Sequence, residues 1–323
     1  MLAVYAESQS ADDPLSGLRV GELPEPSPRE GWQRVRLRAV GLNHHDVWSL
    51  MGVGLPADRL PMILGCDGAG VDEDGNEVIV HAVVTSEDWR GDETLDPGRT
   101  LLSELHPGTL AEEVLVPRGN TVPKPASLSW EHAACLSTAW LTAYRMLFSQ
   151  AELAPGSTVL VQGASGGVAT ALVQLGRAAG YRMWATARDE GKRQKALELG
   201  ADQVFEPGAR MPERVDAVME TVGAATWSHS INSLRPGGAV VISGATSGDA
   251  PSRAELTKIY FRQLRVLGST MGTREELRRL AQFVTLRGIE PVVDSVLPLA
   301  EAETGFRRMV DGSVFGKVVF TVG

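Results

Sequence analysis

Cysteine is nearly absent from this chain: 323 residues hold two, Cys66 and Cys135. Two thiols exclude a disulfide framework and a four-cysteine zinc site, and they fit a reducing compartment. The N-terminus lacks a basic stretch followed by an apolar core, and no apolar run approaches the roughly 20 residues of a membrane span. A cytoplasmic protein with no membrane partner is therefore expected. Surplus positive charge is missing too: Lys plus Arg total 31 against 40 Asp plus Glu, a net charge of −9, which argues against nucleic acid as a partner. No repeat at solenoid spacing is visible. What is there is an ordinary globular composition, 43% hydrophobic and 22% charged. Its length implies two domains of roughly 150 residues, and its acidity a small-molecule ligand.

The first 120 or so residues read as short strands between turns. These are GWQRVRLRAVGLN, DEDGNEVIVHAVV with a hairpin at Asp-Gly-Asn, and GTLAEEVLVP. The polar segment SEDWRGDETLDPGR has neither a helical nor a strand period and reads as a surface loop. Trp130 to Phe148 is apolar and helical in length. From Ser157 the rhythm becomes strand, turn, helix, strand, as in a parallel sheet covered by helices. Val168, Leu172, Leu175 and Ala179 give the first of those helices an apolar face. Six such strands, ending with GAVVISG and LRVLGST, make a complete dinucleotide-binding fold.

The strongest chemical signal is Gly163-Ala164-Ser165-Gly166-Gly167-Val168-Ala169, set between an apolar strand and an amphipathic helix. Glycines let the backbone turn tightly against a pyrophosphate, and the helix start offers amides and a positive dipole end. Gly163, Ser165, Gly166, Gly167 and Val168 are therefore candidate cofactor contacts; the bland alternative is a structural turn. After the second strand the chain reads Thr186-Ala187-Arg188-Asp189-Glu190-Gly191-Lys192-Arg193. Arg188, with Lys192 or Arg193 in the next turn, offers the charge-assisted donors that a 2′-phosphate needs, which favours NADPH. Asp189 competes as the acid of an NAD site, and all four residues can also be read as solvated charges at a helix start.

These motifs, together with Gly41-Leu42-Asn43-His44-His45-Asp46, Leu64-Gly65-Cys66-Asp67-Gly68-Ala69-Gly70, Gly108-Thr109-Leu110-Ala111-Glu112-Glu113-Val114, Leu141-Thr142-Ala143-Tyr144, Arg235-Pro236-Gly237-Gly238 and Gly316-Lys317-Val318-Val319, carry a resemblance. The chain resembles the medium-chain dehydrogenase/reductase superfamily over nearly its whole length, and most closely its quinone oxidoreductase-like members. The resemblance implies an α/β fold: a GroES-like β-rich catalytic lobe (residues 1–135 and 273–323) and an inserted Rossmann doubly wound parallel sheet (136–272), with the active cleft between them. It further implies that Asn43 and Thr142 contact the nicotinamide side, Gly166 and Gly167 the pyrophosphate, Lys192 the adenosine phosphate, and Gly244 and Lys317 the cofactor again. A homodimer built on the fifth and sixth Rossmann strands is expected as well. Two departures stand out: Glu206-Pro207 and Trp48 occupy places where relatives often carry tyrosine.

The zinc-dependent branch of the superfamily uses a Cys, His, Cys set, and those positions here hold Asn43, Cys66 and, near the third, Ala134 or Cys135. One or two thiols make a poor catalytic zinc site, so no metal is expected. The resulting expectation is an NADPH-dependent transfer of hydride to an apolar quinone or α,β-unsaturated carbonyl. Asn43 is the candidate donor to the developing enolate oxygen, Trp48 a second donor, and His45 or His44 the source of the final proton. Two rivals stay open: a zinc-type alcohol dehydrogenase, and a nucleotide-binding sensor or scaffold without turnover.

Overall fold

The structure, a computed structural model, describes residues 1–323 as two compact units. The first comprises Met1–Leu141 with Met271–Gly323, and the second Thr142–Thr270. The first boundary thus falls a few residues beyond position 135, within the helical segment, and the second close to 272.

In the first unit a long strand, Trp32–Gly41, alternates buried and accessible residues over its first half, the pattern of a half-buried strand. It pairs antiparallel with Asp67–Asp72, with Glu113–Pro117 and with the C-terminal strand Lys317–Thr321. The register sets Val319 opposite Gly41. The Asp-Gly-Asn hairpin forms as read, joining Asp67–Asp72 to Glu77–Val80, with Gly75 at φ +85°. The polar loop is more ordered than its composition suggests. Val83–Val84 and Thr100–Leu101 pair across it, and the Asp96 carboxylate, 1% exposed, accepts from the amides of Ser86 and Gly98.

The second unit is a six-stranded, all-parallel sheet. Numbered within it by sequence, its strands lie in the order 3-2-1-4-5-6: Gln203–Phe205, Arg182–Thr186, Thr158–Val161, Val215–Glu220, Leu234–Ile242 and Arg265–Gly268. This is the doubly wound order whose ligands bind beyond the C-terminal strand ends, where the order reverses. The first strand is buried on both faces because helices cover both. The following helix, Gly167–Ala178, buries Leu172 and Leu175, whereas Val168 and Ala179 lie only half-buried. Its buried stripe is rotated toward Ala169, Val173 and Gly176. No helix is long and apolar enough to cross a membrane.

Candidate functional site

In the first unit the site begins where Trp32–Gly41 hands over to a short helix, His44–Leu50, with Asn43 at its cap position. The Asp46 carboxylate reaches back to accept from the amides of Asn43 and Gly65, both at 2.8 Å. It thereby clamps two chain segments together. Asp46 is fully buried, and that burial pushes its carboxyl up to about 6, against the opposing pull of His45 and these amide bonds.

Sheet register then brings a residue from the far end of the sequence to Asn43. Lys317, 2% exposed, places its ammonium 2.7 Å from each of three oxygens: Asn43 Oδ1, Asp67 Oδ2 and the Leu42 carbonyl. Asn43 closes the ring by donating from Nδ2 to Asp67 Oδ2 at 3.0 Å. An ammonium has three donors, and here all three are engaged. All three are spent on the protein itself, and the Asn43 amide is engaged at both ends. Asp67 Oδ1 is buried without a hydrogen-bond partner.

The two histidines lie on a helix rather than a strand, about 100° apart around its axis, and so enter different surroundings. His44 is exposed, and burial of part of the ring followed by the positive charge of Lys317 lowers its pKa, which disfavours its protonated form. Its ring lies 6.4 Å from that of half-buried Trp48. His45 turns to the other side. Its Nε2 is buried with no hydrogen bond, 3.8 Å from Glu104 Oε1. Of the candidates for the final proton, His44 is the accessible one.

The zinc positions can be tested on their donors. Asn43 Oδ1 is committed to an ammonium at 2.7 Å. The Cys66 thiol donates to the Leu102 carbonyl, and burial, then Asp46, push it well above its ordinary range. Burial pushes the Cys135 thiol up to about 12, and Cys135 donates to the Glu131 carbonyl. Zinc needs thiolates and a ligand set of three or more, and nowhere do three His, Cys, Asp or Glu side chains converge. These residues do not fit a catalytic zinc ion.

In the second unit the glycine loop leaves the strand Thr158–Val161 through Gly163 at φ +79°. A Cβ there would lie 3.1 Å from Val222, so both conformation and space call for glycine. The helix starting at Gly167 has Gly166 as its cap, and no capping side chain covers its first turn. Its leading amides and dipole end suit an anion. Gly163, Ser165, Gly166, Gly167 and Val168 are all partly accessible. After the second strand, Arg188 is exposed, with its guanidinium unpaired. Asp189 is committed, because its carboxylate caps the helix Glu190–Leu199 by accepting from the Lys192 amide at 2.9 Å. Arg193 folds back onto the carbonyls of Ala187 and Arg188 and lies 3.6 Å from Glu206. It shapes the loop, and Arg188 remains as the phosphate candidate with an uncommitted side chain. Gly244 lies just past the fifth strand, where a Cβ would sit 3.1 Å from the Thr221 carbonyl, and Thr142 is 7% exposed.

Sequence reading overlooked Asp67 as the partner of Lys317, and it overlooked Gln162, Thr186 and Glu220. Only Glu220 carried a local hint, as an acid ending the apolar strand Val215–Glu220.

Residues 29–126 match the family described as alcohol dehydrogenase GroES-like domain, and residues 167–285 match zinc-binding dehydrogenase. The chain is similar to a solved NAD-dependent alcohol dehydrogenase (35% identity, all of both chains, TM-score 0.91). It is also similar to the 2-octenoyl-CoA carboxylase reductase CinF, solved with NADP and 2-octenoyl-CoA (26% identity, 99% of this chain and 87% of that one, TM-score 0.90). Among curated proteins it is similar to acryloyl-coenzyme A reductase of Metallosphaera sedula (28% identity, 94% of this chain and 96% of that protein).

Proposed function

The chain belongs to the medium-chain dehydrogenase/reductase superfamily of oxidoreductases, and from that premise we propose that it is an NADPH-dependent reductase of α,β-unsaturated carbonyl compounds, quinones included, that works without zinc. The observation that carries the reading is the Lys317 ammonium bound by Asn43 and Asp67, which puts a fixed organic cation where the zinc branch needs metal donors. Without a Lewis acid an alcohol is hard to oxidise, whereas a conjugated alkene accepts hydride readily. Bound NADPH supplies that hydride. Its addition at the β-carbon moves the alkene pair onto the carbonyl oxygen, and the enolate is quenched by a proton at the α-carbon. His44, exposed and with its protonated form disfavoured, is the hydrogen-bond donor to the oxygen, and water supplies the proton at the α-carbon. Asn43, Asp67 and Lys317 hold the base of His44's helix in place.

Two of the similar proteins are named for enoyl thioesters, which supports the substrate class. The solved neighbour named as NAD-dependent favours NADH as a second reading. Against it, Asp189 serves as a helix cap while Arg188 is free to pair with a 2′-phosphate.

The test is cofactor consumption by chelator-treated protein, with NADPH or NADH and a panel of enones, enoyl thioesters and quinones. Chelator-resistant turnover preferring NADPH is expected. Arg188→Ala should raise the KM for NADPH about tenfold or more while leaving that for NADH within twofold, the size expected for lost charge-assisted bonds. Activity that appears only with added zinc would overturn the reading, and saturable cofactor binding without turnover on any acceptor would favour a sensor.

A further inference from the structure

Beyond the C-terminal ends of the first, second and fourth strands of the second unit lies a chain of buried hydrogen bonds that no cofactor contact explains. It starts at the glycine loop. The Gly163 amide donates to Thr186 Oγ1 at 3.2 Å, and the Ala164 amide to the Thr186 carbonyl at 2.8 Å, so one residue of the second strand pins the loop twice. The Thr186 hydroxyl donates in turn to Gln162 Oε1 at 2.8 Å. Gln162 Nε2 donates to Ser230 Oγ at 3.0 Å and meets His229 Nδ1 at 2.9 Å. Ser230 donates to Glu220 Oε2 at 2.6 Å. The other oxygen of Glu220 gathers the amides of Val222 and Gly223 and the Thr226 hydroxyl, at 2.8 to 3.0 Å.

Thr186, Gln162, Ser230 and Glu220 are all at most 1% exposed. Every polar hydrogen along the path points the same way, from Gly163 toward the Glu220 carboxylate. The carboxyl group has no cationic partner and accepts from these uncharged donors alone. Hydrogen bonds aligned in one direction polarise one another, so loss of one link weakens the others. The imidazole takes part in the same sense: His229 Nε2 lies 2.9 Å from the Ala209 carbonyl, which calls for the proton on Nε2 and leaves Nδ1 to accept from Gln162. The chain joins the loops that carry Gly163, Arg188 and Val222, and Val222 is the side chain against which Gly163 packs.

We propose that Thr186, Gln162, Ser230 and Glu220 are positioning residues that hold the glycine loop in its anion-accepting form, setting dinucleotide affinity without touching the cofactor. The inference rests on the reading of the second unit as the NADPH site. Thr186→Val keeps the branched shape the strand needs but leaves the Gly163 amide and Gln162 Oε1 unpartnered; Thr186→Ser restores the hydroxyl. Ser230→Ala cuts the chain between Gln162 and Glu220 at little helical cost.

Direct NADPH titration of the full chain by nucleotide fluorescence reads both affinity and the number of sites. Thr186→Val should bind about tenfold more weakly and Ser230→Ala about fivefold, each still near one site per chain, while Thr186→Ser binds like the wild type. A merely structural role would instead reduce the number of sites at unchanged affinity. That outcome, or wild-type affinity in both Thr186→Val and Ser230→Ala, overturns the proposal; should Thr186→Val not fold, Ser230→Ala alone decides. A wild-type chain that binds neither NADPH nor NADH would sink the cofactor reading and this inference with it, whereas a chain that binds but ignores the substitutions refutes this inference only.

Discussion

Lys317→Met tests whether the buried ammonium is the counter-charge that allows Asp67 to be buried. The two groups sit 2.7 Å apart with side chains 2% and 0% exposed. At an effective dielectric of about 20 the gross attraction is about 6 kcal/mol, most of it offset by desolvation of both ions. Replacing the lysine by a side chain of similar length keeps the packing but strands the carboxylate. It also deprives Asn43 Oδ1 and the Leu42 carbonyl of their donor. Breaking one side of a buried pair costs about 3–5 kcal/mol. The double variant Asp67→Asn with Lys317→Met leaves no buried charge and should cost only about 1–2 kcal/mol, the value of lost neutral hydrogen bonds. Urea unfolding, followed by circular dichroism, of the wild type, both single variants and the double variant closes a double-mutant cycle; with each single variant costing about 3–5 kcal/mol, the expected coupling is about 4 kcal/mol or more. A double variant no more stable than Lys317→Met would show that the charge pairing is not what holds this corner together.

The remaining predictions concern groups nearby. Because burial raises the folded-state pKa of Asp46 from the ordinary 3.8 to about 6, the native state holds this proton more tightly than the unfolded chain does. Its stabilising contribution is therefore fully present below about pH 4 and is lost as pH rises through about 6, a swing of at most about 3 kcal/mol. Urea stability measured from pH 4 to 7 should show this fall in the wild type and a flatter profile in Asp46→Asn; parallel profiles would refute it. The thiols of Cys66 and Cys135 are both buried with raised pKa values, so neither should react with iodoacetamide at pH 8 in the native protein, and both should react in urea. Rapid native labelling of either, read by mass spectrometry, would contradict their burial.

Much of the second unit could be read locally. A parallel strand flanked by helices announces itself through period and punctuation, and a glycine loop between strand and helix needs only neighbouring residues to form. Asp189 was harder: the same short acid can cap a helix or meet a ribose, and the direction of its carboxylate, set by the Lys192 amide, decides which. The strand read in GWQRVRLRAVGLN runs two residues too far, through Leu42 and Asn43. The chain instead turns into a helix once Asp46 claims the Asn43 amide.

By itself the sequence determined the two-part α/β organisation, the position of the glycine loop and the shortage of metal-binding thiols, because each depends on residue type and short-range spacing. Only the tertiary structure decided what Lys317 does. Its partner Asn43 lies 274 residues away in sequence, and the two meet because the last strand pairs antiparallel with Trp32–Gly41 in a register that sets Val319 opposite Gly41. The path from Gly163 to Glu220 is of the same kind: its residues come from three strand ends and a helix, and no local period marks them. A buried polar group must find its partner wherever packing delivers one, and that choice belongs to the assembled sheet rather than to any stretch of chain.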